Sequence, residues 1–313
     1  MRRTMSGYSE GLKKLISTQL NDWELARINY SLLDKVYARK IDFGRFRILV
    51  QFNPGRMTST AAKVDHKSIV ARPCFLCGKN RPAEQKGIAF ENDLTILVNP
   101  FPIFKKHLTI PSDQHVDQLI LPNIPDMLKL ATALPDYVIF YNGPQCGASA
   151  PDHFHFQAGN KGFLPIEADF LNDNFAKLIS VKSGVEILNW SGYLRGIITL
   201  KGTDADNLIT VFNQIFVKLS QLQPDGPEPM INILAYSSDN MWIIHLIPRK
   251  IHRPSQFFKE GEELILLSPA SVDLGGVLIT PREEDFNKIN AADIKDIFRQ
   301  VCFDEIELAR LFN

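Results

Sequence analysis

The N-terminal part of the chain changes from a helical to an extended pattern of apolar residues. In residues 8–38, apolar side chains from Leu12 to Leu33 recur at three-to-four spacing, which predicts one or two docking helices. The segment RFRILVQFNPG at 45–55 predicts a strand that ends in an Asn-Pro-Gly turn. The following polar segment, 56–73, has no period, and we interpret it as a candidate substrate loop.

Short apolar runs and turns then alternate around one longer helical stretch. The predicted strands are 94–100, 107–111, 137–143 and 153–159, and the predicted helix lies around 114–134, punctuated by Pro122 and Pro125. This pattern predicts a sheet with a helix packed on it.

The second half of the chain has a similar rhythm. It comprises strands at 185–190, 196–202, 230–237 and 240–250, a helix near 204–221, the apolar runs 263–269 and 275–281, and a helix from about 291 to 311. Because strand–strand–helix–strand–strand occurs twice, we expect an internal duplication. The predicted fold is α+β, an antiparallel sheet packed with helices, in two halves at 1–165 and 166–313.

Composition excludes several classes of protein. Lys and Arg together number 35, as do Asp and Glu, so the zero net charge provides no basic field for coating nucleic acid. Four cysteines in 313 residues are too few for a disulfide scaffold. The N-terminus does not resemble a secretory signal, and the apolar runs are far shorter than the ~20 residues of a membrane helix. We expect a cytoplasmic protein without a nucleic-acid or membrane partner.

The segment YNGPQCGASAPDHFHFQAG at 141–159 carries the candidate chemistry. Side chains alternate along a strand, so a strand at 153–157 would place His153, His155 and Gln157 on one face. An exposed imidazole held in a concave pocket can act as nucleophile toward phosphorus and form a covalent intermediate. The alternative is that both histidines are ordinary surface residues of an edge strand.

A loop of small residues precedes this strand. Gly143, Gly147, Ala148 and Ser149 leave room for backbone N–H groups to approach an anion closely. Cys146 lies in the same loop, where we expect a packing role, as for Cys302 and His245 elsewhere in the chain.

A second candidate site begins with the C-x-x-C pair Cys74 and Cys77, which can hold a tetrahedral ion. A mixed Cys2His2 site suits zinc, and the candidate histidine ligands are His107, His115, His153 and, further off, His66. A thioredoxin-like redox pair is the alternative, although the flanking Pro73 and Gly78 are more typical of a zinc knuckle. A nucleic-acid zinc finger would need a helix with an H-x3-5-H pair and nearby basic residues, which the sequence lacks.

These motifs together resemble the histidine-triad superfamily. The resemblance rests on C-F-L-C, N-P-F-P at 99–102, H-L-T-I-P-S-D-Q-H at 107–115 and G-A-S with H-x-H-x-Q, and it covers about 50–160. The branch it is most similar to contains the galactose-1-phosphate uridylyltransferases and dinucleoside tetraphosphate phosphorylases, in which Gln replaces the third histidine. The second half is similar more weakly, through NILAYSSDNMWIIHLIPRK.

The resemblance implies a role for each matching residue. His155 matches the residue that becomes nucleotidylated, and Gln157 the residue that hydrogen-bonds the transferred phosphate. The implied substrate contacts are Asn142 and Ser149 near that phosphate, with Gly147 in the same loop, and Asn99 near the nucleoside; the implied ligands of a structural zinc are Cys74, Cys77, His115 and His153. The chain departs from the family by one extra residue between Ser149 and His153, and it has a single H-x-H, which implies one reaction centre per chain.

The implied activity is ping-pong nucleotidyl transfer from a nucleoside diphosphate derivative, a nucleotide-sugar or dinucleoside polyphosphate, to a phosphate acceptor. Positive charge for the phosphates could come from Lys105, Lys106, Arg249 or Lys250, although each is also well explained as an ordinary strand-end cation facing water, which is the favoured interpretation. Two alternatives stay open: a hydrolase of the same superfamily, which Gln157 disfavours because an amide does not exchange protons, and a non-catalytic nucleotide-binding module. The base, the acceptor and the oligomeric state are left open.

Overall fold

The computed structural model describes residues 5–57, 66–91, 93–172 and 175–312. The strands are β1 (Tyr37–Asp42), β2 (Arg47–Phe52), β3 (Gly87–Phe90), β4 (Leu94–Val98), β5 (His107–Pro111), β6 (Tyr137–Asn142), β7 (His155–Asn160), β8 (Ala176–Lys182), β9 (Val185–Trp190), β10 (Ile198–Gly202), β11 (Ile231–Ser238), β12 (Met241–Pro248) and β13 (Val277–Thr280). The α-helices are α1 (Met5–Asp22), α2 (Glu24–Ser31), α3 (His66–Val70), α4 (Ile124–Ala133), α5 (Pro165–Leu171), α6 (Ala205–Leu222), α7 (Ser271–Leu274), α8 (Glu283–Lys288), α9 (Ala291–Val301) and α10 (Glu305–Ala309).

Ten strands form one continuous antiparallel sheet, which confirms the predicted fold class. Its order is β3-β4-β5-β7-β6-β11-β12-β10-β9-β8. Read from each outer edge to the centre, the halves follow the same order, β3-β4-β5-β7-β6 and β8-β9-β10-β12-β11. In each half one helix follows the third strand in chain order: α4 lies between β5 and β6, and α6 lies between β10 and β11. The two halves meet at the antiparallel pair β6–β11. The topology is therefore duplicated, while the boundary at 165/166 remains a prediction.

The large sheet separates two hydrophobic cores, because neighbouring residues of a strand point to opposite faces. On one face Ile139 and Phe156 pack with buried residues of α1, α4 and α6. On the other face Phe140 packs with residues of α9 and of a second sheet of order β1-β2-β13. This second face carries the candidate site.

Two of the predicted helical stretches are shorter than their patterns indicate. The segment 8–38 forms α1 and α2 with a break at Trp23, continues as a 3-10 turn at Leu32–Lys35 and ends in β1. The stretch 114–134 is helical only in α4, with a 3-10 turn at Leu121–Asn123 before it. Residues before that turn bond to other segments instead: Val116 O accepts from Phe154 N at 2.7 Å. Tertiary partners thus replace the local bonds of a helix.

The structure also differs from the elements predicted in the C-terminal half. The helix predicted at 291–311 is interrupted at Cys302, and α5 and β8 were not predicted. The run 263–269 has only a 3-10 turn at Gly261–Glu263, while 275–281 contains β13 as expected. Of the candidate substrate loop 56–73, residues 58–65 lie outside the described residues. In the described parts of the chain no helix is both long enough and apolar enough to span a bilayer.

Candidate active site and metal centre

His155 is the first residue of β7 and lies on the face of the large sheet that the second core covers. The ring nitrogen Nδ1 donates a hydrogen bond to the backbone oxygen of His153 at 2.9 Å, which leaves the ring's lone pair on Nε2. Burial lowers the pKa of the ring from 6.5 to about 4, so the imidazole is neutral at pH 7. Among the described residues Nε2 has no hydrogen-bond partner, and it is the ring atom left for a substrate.

Two expectations about this strand need correction. β7 begins at His155, so His153 lies in a turn before the strand and does not extend the row formed by His155 and Gln157. The His155 side chain is also buried, with 3% of its surface exposed. We expected the ring to stand exposed in a pocket, whereas the residues that line the cavity described below include Gln157 but not His155.

Gln157 lines that cavity, and a hydrogen bond from His107 determines how its side-chain amide is oriented. Nδ1 of His107 accepts from Ile103 N at 3.1 Å, so the ring proton is on Nε2 and is donated to Gln157 Oε1 at 3.0 Å. Asn99 Nδ2 approaches the same oxygen at 3.4 Å. Because protein donors occupy Oε1, the NH2 group of Gln157 is left to donate to a ligand.

Asn142, at the end of β6, is oriented in the same way. Its Oδ1 accepts from Asn232 Nδ2 at 2.9 Å, from Ser271 N at 2.9 Å and from Ser271 Oγ at 2.7 Å. Among the described residues its Nδ2 has no partner. The cavity therefore receives two amide NH2 groups whose oxygens are already satisfied, an arrangement suited to an anionic ligand.

The small-residue loop forms another wall of the cavity, as expected. Gly147 has a φ of +112°, and a Cβ at this position would lie 2.7 Å from Ala270 Cβ, so only glycine fits. Ser149 also lines the cavity, and its carbonyl accepts from Arg72 Nη2 at 2.9 Å. Of the predicted site residues, Asn142, Gly147, Ser149 and Gln157 line one cavity, whereas Asn99 lies behind Gln157.

The cavity is also lined by ionisable residues that the sequence analysis did not assign to the site: Arg56, His252, Arg253 and Asp273. Burial lowers the pKa of His252 to about 4 and raises that of Asp273 to about 6. The Asp273 carboxylate accepts from Ala270 N and Ile279 N, both at 2.9 Å. Arg56 is the first residue of the candidate substrate loop 56–73, whereas Arg253 lies five residues after β12, at a position that the sequence pattern did not single out.

The cations proposed from the sequence do not line this cavity. Arg249 is fully buried, where it donates to Asn232 Oδ1 at 2.7 Å and to Pro269 O at 2.8 Å. Lys250 pairs with Glu307 at 2.7 Å. Lys105 and Lys106 are exposed, so the explanation as cations facing water fits the lysines, whereas Arg249 neither faces water nor lines the cavity.

The four predicted metal ligands lie together. One ligand atom from each of Cys74, Cys77, His115 and His153 falls within a group whose members are all within 4.8 Å of one another. The Nδ1 atoms of the two histidines are 3.2 Å apart, and each is 3.2 Å from a cysteine Sγ. Two thiols and two imidazole nitrogens converging on one point match a tetrahedral metal site, so these residues fit a bound ion.

The metal cluster is directly connected to His155. His153 donates from Nε2 to Ser112 O at 2.8 Å, which leaves Nδ1 for a metal, and its carbonyl accepts from His155 Nδ1.

His107, another candidate ligand, lies elsewhere and bonds to Gln157. The residues expected in the core are there: Cys146 and Cys302 are buried, and His245 lies between Thr199 and Tyr236.

Two family models match the sequence. Residues 15–160 match a family model described as domain of unknown function DUF4922, and residues 171–312 match one described as GDPGP1-like, C-terminal domain. No curated protein matches the sequence.

Solved structures share the fold across most of the chain. Yeast Ap4A phosphorylase Apa2 in complex with Ap4A has a TM-score of 0.57 and 17% identity, over 90% of this chain and 97% of that one. A second structure of yeast Ap4A phosphorylase Apa2 has a TM-score of 0.56 and 15% identity, over 90% and 94%. The chain therefore shares its fold with the yeast Ap4A phosphorylase, and residues 171–312 are similar to the GDPGP1-like C-terminal domain.

Proposed function

We propose that this protein is a nucleotidyltransferase or phosphorylase that acts on a nucleoside diphosphate derivative, a nucleotide-sugar or dinucleoside polyphosphate, through a nucleotidyl group on His155. One observation carries the proposal: a neutral imidazole with its Nε2 lone pair unused lies two residues from Gln157, which with Asn142 directs amide NH2 groups to a common cavity. The yeast structure with the same fold holds Ap4A, which supports a substrate of this class.

The reaction proceeds in two displacements. The Nε2 lone pair of His155 attacks the α-phosphorus, a P–N bond forms, and the bond between phosphorus and the leaving oxygen breaks with its electrons on the leaving phosphate. Nδ1 keeps its proton, which His153 O accepts throughout. An oxygen of the phosphate acceptor then attacks the same phosphorus, and the P–N electrons return to Nε2.

The surrounding residues stabilise the negative charge on the phosphoryl oxygens. Gln157 and Asn142 donate to the oxygens of the transferred phosphate, with Ser149 and the N–H groups of the Gly147 loop as further donors. Arg56 and Arg253 supply positive charge for the remaining phosphates, because they line the same cavity. Asn99 lies next to these phosphate-binding residues, because its Nδ2 contacts Gln157 Oε1.

The metal centre has a structural role in this proposal. Cys74, Cys77, His115 and His153 would hold one zinc ion, which supplies a cross-link between three segments of the chain. The nucleophile is His155, and its Nδ1 donates to the backbone carbonyl of His153, which is one of the metal ligands.

The proposal is tested by incubation with labelled nucleotide-sugars and dinucleoside polyphosphates. We expect an acid-labile label on the peptide that contains His155, lost on addition of inorganic phosphate or a sugar phosphate. Release by water alone would indicate a hydrolase, and nucleotide binding without label would indicate a non-catalytic module.

His252, the histidine that lines the cavity, provides a matched control. His155→Asn should abolish labelling and transfer while the melting temperature stays close to that of the wild type, whereas His252→Asn should still become labelled. Full activity of His155→Asn refutes the assignment. Label that persists in His155→Asn and disappears in His252→Asn would identify His252 as the nucleophile.

A further inference from the structure

Strands β6 and β7 separate next to the candidate nucleophile. Their ladder ends where Phe140 pairs with Gln157, and continuing that register would place Asn142 opposite His155. On the other side of β7, Ser112 N donates to Phe154 O at 2.9 Å, so the N–H and C=O of His155, one residue along, point toward β6, where the ladder has ended. The peptide groups of His155 therefore need partners from outside the sheet.

The side chain of Gln118 supplies these partners. Its Oε1 accepts from His155 N at 2.7 Å, and its Nε2 donates to His155 O and to Asn142 O, both at 3.0 Å. The residue is fully buried, and both hydrogens of the amide are in use. The Gln118 side chain thus replaces a pair of backbone hydrogen bonds between β6 and β7. It bridges His155, the candidate nucleophile, and Asn142, whose amide is proposed to bind phosphate.

Gln118 is itself held from several directions. Its N–H donates to Pro151 O at 3.3 Å, and its carbonyl accepts from Tyr141 OH at 2.9 Å. Tyr141 OH also contacts Glu228 Oε1 at 2.6 Å, and Glu228 Oε2 accepts from Ile120 N at 2.8 Å. The amide therefore has little freedom to move away from His155.

We propose that Gln118 is a positioning residue for nucleotidyl transfer, because it determines the separation and orientation of His155 and Asn142. The inference rests on the proposed function of His155. Without the amide, the ends of β6 and β7 lose their only side-chain bridge among the described residues, and the ring shifts relative to the bound phosphate. A displacement of 1 Å at a reacting atom can reduce a rate by about 10²-fold.

The test compares Gln118→Met with Gln19→Met. Gln19 is also a buried glutamine that bridges backbone groups, Glu84 O at 2.8 Å and Lys86 N at 3.1 Å, but it lies on α1 away from the cavity. Single-turnover labelling of His155 is measured for each variant, together with the nucleotide dissociation constant, the melting temperature and the metal content.

For Gln118→Met we expect labelling slowed by about 10²-fold with a nucleotide dissociation constant close to that of the wild type. Gln19→Met should label at the wild-type rate even where its melting temperature falls. Should Gln118→Met fail to fold, Gln118→Glu replaces it: the carboxylate accepts from His155 N but repels the two carbonyls, and slow labelling is expected again.

Two results would overturn the inference. One is labelling of a folded Gln118 variant at the wild-type rate; the other is an equal loss of rate in Gln19→Met. If the wild-type protein itself forms no nucleotidyl-histidine, the proposed function of His155 fails, which is a distinct outcome.

Discussion

Replacement of Glu228 by Gln should change how the stability of the protein depends on pH. Glu228 follows α6 and is 6% exposed, and burial raises the pKa of its carboxyl from 4.5 to about 7. Its neighbours Tyr141 and Cys146 are neutral at that pH because burial raises both of their pKa values. Because the folded state binds this proton more tightly, the stabilisation is complete below pH 4.5 and is lost as the pH rises through 7.

The magnitude follows from the two pKa values. Each pKa unit is worth about 1.4 kcal/mol, so ionisation of Glu228 should lower the free energy of unfolding by about 3 kcal/mol above pH 8. Glutamine resembles the protonated carboxyl and fits the same bonds. Its oxygen can accept from Ile120 N, and its NH2 can donate to Tyr141, whose own proton then goes to Gln118 O.

Urea unfolding at several pH values between 4.5 and 8.5 measures the effect. We expect Glu228→Gln to match the wild type near pH 4.5 and to exceed its free energy of unfolding by about 3 kcal/mol at pH 8. Glu263→Gln, at an exposed residue paired with Lys259, is the control and should give no comparable divergence. A difference between wild type and Glu228→Gln that is constant with pH, or reversed in sign, would refute the reasoning.

Three further predictions concern the candidate site. Gly147→Ala should weaken nucleotide binding and cost at least about 1 kcal/mol of stability, because a Cβ at positive φ also meets Ala270; unchanged titration and unfolding curves would contradict this. Chelation of the metal, or Cys77→Ser, should lower the melting temperature together with the metal content, and a metal-free protein of equal melting temperature would disprove a structural ion. His107→Leu should slow nucleotidyl transfer by about 10-fold or more because Gln157 loses its strongest orienting donor, and single-turnover rates equal to those of the wild type would show that the contact is dispensable.

Local motifs predicted a possible metal site around the Cys74–Cys77 pair and a loop that lines part of the cavity. Two intervening residues allow both cysteines to face one point, and glycine at position 147 allows the loop to approach Ala270 closely. The choice of His115 over His107 came from a family resemblance. The structure gives its physical reason, since His107 uses both ring nitrogens, with Ile103 and Gln157.

Residues identified by long-range contacts could not be predicted in this way. Gln118 lies in a stretch whose apolar spacing indicated a helix, and only the separation of β6 and β7 gives its amide a role. Arg56 and Arg253 are 197 positions apart on loops, and they line one cavity because the second sheet packs over the first.

By itself, the sequence determined the strand and helix periodicity, the repeated order of elements and the Cys74–Cys77 pair, because these depend on residue types along continuous stretches of the chain. Only the tertiary structure decided that His155 is buried and neutral, that Gln157 and Asn142 turn their NH2 groups to a shared cavity, and that a distant glutamine bridges two strand ends. These properties depend on desolvation and on hydrogen-bond partners that come from remote segments of the chain, and no local pattern encodes them.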